Sequence, residues 1–393
     1  MSLITDSAAL AQFCERQKDA QFITVDTEFM RERTYWPILC LVQVAGPEEA
    51  VAIDTLAPGI DLQPLLALMN DTAMLKVFHA ARQDLEIFFH LSGVVPEPLF
   101  DTQIAAMVCG FGDSASYETL VRKLAGAALD KASRFTDWAH RPLTERQVSY
   151  ALGDVVHLRT VYERLQQRLA KNGRASWFAE EMAALADATL YRTEPAEAWH
   201  RFRLRGRADS RFLAVLRAIA AWRETMAQQR DLPRGRILRD EALIEIASHA
   251  PQRTEALART RSLPKGIADG RLGQEILDAV KQGLADKDPP AAVPQKAQNP
   301  PGLGPLTELL RVLLKQRCED FEVAQKLVAS SDDLEAIAAD DDAEVPALSG
   351  WRREVFGADA LALKHGALAL TVGRNRIELV PLPENRNDEA RNS

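Results

Sequence analysis

Two acids stand two residues apart in a segment that otherwise has the composition of a buried strand. The segment is FITVDTEF, Phe22–Phe29, and the acids are Asp26 and Glu28. Alternate residues of a strand point to the same face, so the two side chains should lie about 7 Å apart along one side. Unpaired carboxylates in that position repel each other and lose hydration unless a cation lies between them. The spacing suggests a metal site, although a strand with one solvated face would also explain these two acids alone.

Two further acids lie near the predicted site. Asp84 opens a predicted helix in HAARQDLEIFF, immediately after the predicted strand MLKVFHA. Strand-to-helix junctions commonly present polar groups to ligands in α/β proteins. Asp154 lies on a long predicted helix, and Tyr150, four residues earlier, lies on the same helical face. Each of these residues, taken alone, could be structural.

Taken together, the four carboxylates predict one kind of chemistry. Oxygen ligands without His or Cys suit Mg²⁺ or Mn²⁺ better than Zn²⁺. Four carboxylates can hold two such ions about 3.5–4 Å apart, which serves in-line displacement at phosphorus. One ion would lower the pKa of an attacking water, the other would stabilise the leaving 3′-oxygen, and a tyrosine hydroxyl would orient the water. The predicted catalytic residues are Asp26, Glu28, Asp84, Tyr150 and Asp154, and the four acids are the predicted metal ligands.

Candidate substrate contacts rest on weaker signals. Phe29 follows the acid pair and could stack on the 3′-terminal base if the strand ends there. His79 could approach the substrate from the end of its strand, although a hydrogen-bonded structural histidine is the commoner case. Gln43, in the next predicted strand, is expected to be a polar residue of the sheet and not a ligand. The run HRFRLRGR is either a solvated charge run or a contact with a phosphate backbone, with Arg201, Arg203 and Arg205 as its candidates.

The elements that position these residues follow from the pattern of apolar and turn residues. The runs FITVDTEF, ILCLVQVAG and EAVAIDT are short and β-rich, and they are expected to form an antiparallel meander. Helical and strand patterns then alternate up to TERQVSYALGDVVHLRTVYERLQQRLAKNG, one long amphipathic helix. Thr144 and Gln147 form its predicted capping box. We therefore predict an α/β domain with trailing helices over residues 1–192.

The rest of the chain is predicted to be mainly helical. Helical patterns cover residues 193–285, a Pro-rich linker covers 286–304, and a further helical domain covers 305–382. That domain closes with ALALTVGRNRIELV, whose alternation about Gly373–Asn375 predicts a β-hairpin. Residues 383–393 should form a disordered tail.

Composition narrows the class of protein. The 393 residues are 47% hydrophobic and 26% charged, which is typical of a globular chain of two or three domains. The sequence lacks a signal-peptide pattern and an apolar run of membrane-spanning length, and its four cysteines have no ligand spacing, so we predict a cytoplasmic protein. The net charge of −8 argues against non-specific coating of nucleic acid. Arginines nevertheless crowd between Arg201 and Arg239, where they could form a local phosphate-binding face.

The motifs resemble those of a known superfamily. VDTEF, the H-x4-D-L motif that begins at His79 and the Y-x3-D motif that begins at Tyr150 are similar to the three exonuclease motifs of the DEDD superfamily. Ser149 stands where the histidine-type branch has its base, which assigns the tyrosine-type branch. TYWPILCLVQVAG and LDKASRFTDWAHRPLTERQVSYALGDV extend the resemblance to the ribonuclease D family, and Arg211–Leu284 resembles the HRDC module.

This resemblance implies an architecture and an activity. It implies an RNase H-like exonuclease domain followed by two HRDC-like domains, the second of them divergent. It implies a 3′→5′ exoribonuclease that trims tRNA precursors and other small structured RNAs with two Mg²⁺ or Mn²⁺ ions and releases nucleoside 5′-monophosphates. Its partner would be RNA with a free 3′ end, with no obligatory protein partner. Two alternatives stay open: a DNA 3′→5′ exonuclease, and a non-catalytic RNA-binding scaffold, which would be expected to lack at least one carboxylate.

Overall fold

A six-stranded mixed sheet lies at the centre of the first domain. The computed structural model describes residues 3–129, 136–202, 208–264, 266–291, 303–374 and 376–383. The strands of the sheet are β1 (Leu3–Ile4), β2 (Phe22–Met30), β3 (Ile38–Ala45), β4 (Ala50–Asp54), β5 (Leu75–Phe78) and β6 (Leu99–Asp101). Their order across the sheet is β1-β4-β3-β2-β5-β6. Strands β2, β3 and β4 form the predicted antiparallel meander, whereas β5 runs parallel to both β2 and β6.

The helices of the first domain, one before β2 in the chain and the others after it, pack around this sheet. They are α1 (Ser7–Gln17), α2 (Gln63–Met69), α3 (Arg82–Ser92), α4 (Thr102–Val108), α5 (Tyr117–Leu120), α6 (Glu145–Lys171) and α7 (Ala175–Ala186), with a π-helical turn at Val121–Ala125 and a 3₁₀ turn at Ala188–Leu190. The predicted capping box of α6 is confirmed, because Thr144 and Gln147 satisfy each other's backbone N–H groups. Fixing the start of α6 in this way also fixes the phase of the face that carries Tyr150 and Asp154.

The first helical domain has its own apolar core. It consists of a 3₁₀ segment at Pro195–Arg201 followed by α8 (Ser210–Arg230), α9 (Arg234–Ile237), α10 (Asp240–His249), α11 (Thr254–Leu257) and α12 (Arg271–Leu284). Helix α12 lies against α8 closely enough that Gly283 has room only for hydrogen: a Cβ there would lie 2.7 Å from the Cα of Val215. The two longest helices of the domain are therefore in backbone contact.

The second helical domain also has a separate core. Its helices are α13 (Leu303–Asp320), α14 (Gln325–Val328), α15 (Ser331–Ala339), α16 (Gly350–Arg352) and α17 (Ala358–Lys364), with a 3₁₀ turn at Pro346–Leu348 and a π-helical turn at Arg353–Gly357. The predicted hairpin is confirmed as β7 (Leu368–Gly373) and β8 (Arg376–Pro381). Helix α13 begins inside the predicted linker 286–304. Residues 292–302 of that linker and 384–393 of the predicted tail lie outside the described residues.

The loop after β2 joins the six-stranded sheet to the first helical domain. The hydroxyl of Tyr35 donates to the carboxylate of Glu224 on α8. The backbone N–H groups of Tyr35 and Trp36 both donate to Asp231, at 3.0 Å each. On its other side Trp36 stacks on His90 of α3, with ring centroids 4.1 Å apart. The loop therefore connects β2 and α3 with α8.

The second helical domain contacts α7 and the C-terminal end of α4. The guanidinium of Arg174 donates to the carbonyls of Val108 at 2.8 Å and Glu322 at 2.9 Å. Trp177 of α7 stacks on Trp351 of α16, with ring centroids 4.6 Å apart. Both helical domains thus rest on the sheet domain that carries the acids. Within the described part of the chain, no helix has the length and apolarity needed to cross a membrane.

Candidate active site

Three of the four predicted acids converge between β2 and α6. Thr24, two residues before Asp26 on the same face of β2, donates its hydroxyl to the carbonyl of Val155 on α6 at 2.8 Å. This bond holds α6 over the strand next to Asp154. One carboxylate oxygen from each of Asp26, Glu28 and Asp154 lies within 4.8 Å of the others. The two acids that period-two alternation placed on one face therefore meet the acid of the long helix.

The fourth acid, Asp84, approaches from the first turn of α3. It is buried, and its carboxylate accepts a hydrogen bond from the hydroxyl of Thr27, which lies between the two strand acids. Asp84 is not a member of the group within 4.8 Å. Burial, and then the negative charge of Asp26, raise its pKa well above the usual range. The structure thus places Asp84 within electrostatic reach of Asp26 and fixes its orientation through Thr27.

The acids repel one another in surroundings that solvate them poorly. Burial raises the pKa of Asp26 to about 7, although a backbone hydrogen bond at Thr27 opposes the shift. Burial also raises the pKa of Glu28 to about 9, and the charges of Asp26, Asp154 and Asp84 add to the shift. A divalent cation would remove this repulsion, and the all-oxygen donor set is the one that Mg²⁺ and Mn²⁺ prefer. The residues therefore fit a divalent metal.

Gln43 lies beside Asp26, where sequence analysis expected only a polar residue of the sheet. It is the direct cross-strand partner of Asp26 in the β2–β3 pair, and opposite residues of an antiparallel pair share a face. Gln43 is completely buried, and neither its amide oxygen nor its amide nitrogen has a hydrogen-bond partner. An unpaired buried polar group costs about 1–3 kcal/mol. The signal in the sequence was one amide inside the apolar run ILCLVQVAG, but only the strand register shows its neighbour.

Tyr150 lies on α6 one turn before Asp154 and is partly buried. Its ring packs against Trp138, with centroids 6.1 Å apart. Arg141 fixes the segment that carries Trp138, because its guanidinium donates to Asp54 at 2.8 and 2.7 Å and to the carbonyl of Trp138 at 2.6 Å. Sequence analysis did not assign Arg141, whose partner lies 87 positions away in the chain. The ring of Tyr150 is therefore held by packing that Arg141 anchors to the sheet.

Tyr117 is a site neighbour that sequence analysis missed. Its hydroxyl donates to the carbonyl of Gly153 at 2.9 Å, next to Asp154 in the chain. Burial, followed by the charges of Asp154 and Asp26, raises the pKa of Tyr117. Its hydroxyl proton is thus committed to the backbone of α6. Tyr117 forms part of the wall of the site and is poorly suited to proton transfer.

His79 lies next to Tyr117, with ring centroids 5.6 Å apart. Its Nδ1 is 3.0 Å from the hydroxyl of Thr102, which itself donates to the carbonyl of Phe78 at 3.0 Å. The hydroxyl oxygen must therefore accept from Nδ1–H, which leaves Nε2 as an acceptor. Burial lowers the pKa of His79 and favours this neutral form. The structural hydrogen bond considered from the sequence is present, and a substrate contact stays a prediction.

The remaining predicted substrate residues occupy two different regions. The β2–β3 register shifts between Glu28 and Phe29, and Phe29 packs partly against the main core. Arg201 is remote in sequence from the acids, at the end of the 3₁₀ segment. Arg203 and Arg205 lie outside the described residues.

A basic cavity of about 390 Å³ opens beside Arg201. Its lining residues are Arg201, Phe202, Arg223, Arg234, Gly235, Arg239, Asp240 and Glu241. Arg223 is only 4% exposed and pairs with Asp240, while Arg234 pairs with the buried Glu224. Desolvation and the positive charge of Arg234 lower the pKa of Arg201. Cation–cation repulsion at this cavity would be relieved by an anion.

Fold, acid cluster and helical domain together define a 3′–5′ exonuclease that carries an HRDC domain. A family model described as 3′-5′ exonuclease matches residues 1–170, and a model described as HRDC domain matches residues 212–280. The chain is 51% identical over 380 residues to ribonuclease D of Gluconacetobacter diazotrophicus, covering 96% of each chain. It is 50% identical over 377 residues to ribonuclease D of Nitrobacter hamburgensis, covering 96% of this chain and 98% of the relative.

A solved structure agrees with these relatives. The crystal structure of Escherichia coli RNase D, described as an exoribonuclease involved in structured RNA processing, superposes with a TM-score of 0.77 at 30% identity. The match covers 92% of this chain and 97% of that one. The chain belongs to the ribonuclease D family. It is a hydrolytic 3′→5′ exoribonuclease, and the predicted fold class, an α/β exonuclease domain followed by helical domains with a terminal hairpin, is confirmed.

Proposed function

We propose that this enzyme trims the 3′ ends of tRNA precursors and other small structured RNAs one nucleotide at a time. Asp26, Glu28, Asp84 and Asp154 would hold two divalent cations, Mg²⁺ or Mn²⁺. The observation that supports this most directly is the group of three carboxylate oxygens within 4.8 Å, with the fourth acid next to Asp26. When bound, such cations lower the pKa of water and neutralise charge that develops at phosphorus.

Tyr150 and Thr27 would have separate roles at this site. The hydroxyl of Tyr150 would orient the attacking water, and the packing of its ring on Trp138 keeps that hydroxyl in one place. Thr27 fixes the rotamer of Asp84 through its hydrogen bond. Attack at phosphorus breaks the bond to the 3′-oxygen, so the products are a nucleoside 5′-monophosphate and an RNA that is one nucleotide shorter.

The choice of a structured RNA requires a contact away from the acids. An active site that cleaves the last phosphodiester grips only a few nucleotides, and its own carboxylates repel the backbone. The basic cavity at Arg201 and Arg239 is the best candidate for a second contact, because its excess of guanidinium groups suits a phosphate. Two weak contacts in one chain raise the apparent affinity for an RNA that reaches both.

The proposal also places the enzyme in the cytoplasm. The four cysteines are buried and unpaired, as expected for a protein of the reducing cytoplasm. Neither the proposed catalysis nor the proposed second contact with RNA requires another protein. A DNA exonuclease is the competing function, because the acid cluster does not itself recognise ribose.

The decisive experiment digests a 3′-extended tRNA and a DNA strand of the same sequence, each with Mg²⁺ and with a chelator. We expect stepwise shortening of the RNA, nucleoside 5′-monophosphate as the product, and no reaction in chelator. A higher kcat/KM on the DNA strand than on the RNA would favour the DNA alternative. Endonucleolytic fragments or metal-independent cleavage would overturn the proposal altogether.

A paired variant tests the second contact. Arg201→Gln with Arg239→Gln should raise KM for structured RNA and make binding less dependent on salt, because fewer phosphate contacts release fewer counterions. Arg271→Gln with Lys281→Gln is the matched control, since it also removes two positive charges, from exposed positions of α12 that do not line the cavity. An identical effect of the control and of the double variant would assign the change to net charge alone.

A further inference from the structure

The amide of Gln43 is a polar group for which the described residues provide no partner. Both its oxygen and its nitrogen are buried and without a hydrogen bond. Its neighbours across the sheet are Asp26 on β2 and Ala52 on β4. Ala52 belongs to an apolar cluster with Leu41 and with Ala151 of α6. Thr24 and Glu28 on β2 and Asp54 on β4 lie one residue pair away along the same face, and Arg141 pairs with the carboxylate of Asp54.

Burying such an amide without a hydrogen-bond partner lowers the stability of the fold, whereas an apolar side chain of the same length would carry no such cost. Buried polar groups in folded proteins are normally satisfied by protein or by an ordered water. The Cβ atoms of directly opposed strand residues are about 4.5–5.5 Å apart. The amide of Gln43 can therefore reach the carboxylate of Asp26 directly or through one water. Glu28 and Asp54 lie one residue pair further along the register, and the carboxylate of Asp54 is already paired with Arg141.

We propose that Gln43 is a positioning residue for the cation site: its amide N–H donates to the carboxylate of Asp26 and holds it in the orientation that binds the cation. A carboxylate that bridges or binds a cation keeps a free lone pair, and a neutral donor satisfies that lone pair without repelling the metal. Outer-shell partners of metal ligands commonly matter for affinity and activity in this way. The inference rests on the proposed metal-dependent function.

The test replaces Gln43 by Met, which has nearly the same shape and no amide. Gln17 provides the control, because it is 2% exposed and has an unpaired amide oxygen, yet it bonds to Glu49 away from the acids. Mn²⁺ binding without RNA is measured by titration calorimetry for wild type, Gln43→Met and Gln17→Met. Thermal unfolding in chelator and kcat at saturating Mg²⁺ are measured on the same samples.

We expect Gln43→Met to bind Mn²⁺ about 10–100-fold more weakly, to lose kcat, and to unfold in chelator at or above the wild-type temperature. Gln17→Met should bind Mn²⁺ as the wild type does. Mn²⁺ affinity within twofold of wild type for Gln43→Met would overturn the proposal. A lower unfolding temperature in chelator would overturn it too, because the amide would then be a structural partner.

Two further results keep the outcome interpretable. Gln43→Asn retains both polar groups but withdraws them by one carbon from Asp26, so it should fold and show an intermediate Mn²⁺ affinity. If it binds Mn²⁺ like the wild type, the position of the amide is irrelevant and the proposal fails. Failure of the wild type itself to bind Mn²⁺ would contradict the proposed metal-dependent function and not the role of Gln43 alone.

Discussion

Replacing Glu28 by Gln should stabilise the metal-free protein while it destroys the cation site. Burial raises the pKa of Glu28 to about 9, and the charges of Asp26 and two other acids add to the shift. The folded protein therefore keeps a proton on this carboxyl that the unfolded chain releases near its ordinary value of 4.5. Because the folded state binds more protons, the free energy of unfolding falls as pH rises between these two values.

The size of the effect follows from this window. Each pH unit above the ordinary pKa of Glu28 lowers the free energy of unfolding of the wild type by up to about 1.4 kcal/mol. At pH 8 the full cost would be about 5 kcal/mol, and solvent screening at this partly exposed carboxyl reduces it to about 2–3 kcal/mol. The amide of Gln needs no proton, so Glu28→Gln should be more stable than the wild type by that amount at pH 8 in chelator. Near pH 5 the two proteins should differ by less than about 1 kcal/mol.

Urea unfolding followed by circular dichroism, in chelator and in Mg²⁺ at pH 5 and pH 8, measures these differences. Mg²⁺ should stabilise the wild type more at pH 8 than at pH 5, and should stabilise Glu28→Gln much less. Glu49→Gln is the control of opposite sign, because its bond to Arg16 lowers the pKa of Glu49. A Glu28→Gln protein that is less stable than the wild type at pH 8 in chelator would refute the reasoning about repelling acids.

Two further substitutions probe the parts that position the site. Tyr150→Phe should lower the single-turnover rate by about 10²–10⁴ and change the free energy of unfolding by less than about 1 kcal/mol, and an unchanged rate would make Tyr150 structural. Tyr35→Phe removes a hydroxyl that donates to Glu224 and accepts from Arg234 at 2.9 Å, so unfolding should become easier by about 1–3 kcal/mol. Hydrogen exchange should then accelerate on both sides of this interface, whereas Tyr191→Phe, which loses a 2.6 Å bond to a carbonyl within its own domain, should act locally. Acceleration confined to one side would show that the loop does not couple the domains.

Local patterns were sufficient to predict the acids and most of the elements around them. Period-two alternation placed Asp26 and Glu28 on one face, and the capping box fixed where α6 begins. Both are rules that act within a few residues. The two-residue strand β1 and helix α1 were not predicted, although Asp6 caps α1 through the N–H of Ala9. A strand of that length carries no alternation that could reveal it.

The features missed by sequence analysis depend on contacts between distant residues. Gln43 meets Asp26 only because β3 pairs with β2 in one register, and a slip of one residue would turn the amide to the other face. Tyr35 and Glu224 are 189 residues apart in the chain. Nothing in the local pattern of either segment identifies its partner, so the joining of the loop after β2 to the first helical domain emerges only in three dimensions.

The central claim is that this acid cluster hydrolyses RNA through bound divalent cations, and Asp154→Asn tests it most directly. The substitution keeps the shape of the side chain and removes one charge from the group within 4.8 Å. Single-turnover shortening of a labelled RNA at saturating Mg²⁺ should fall by a factor on the order of 10³ or more, while RNA binding in chelator is unchanged or slightly tighter. A variant that keeps more than about a tenth of the wild-type rate under these conditions would contradict the account.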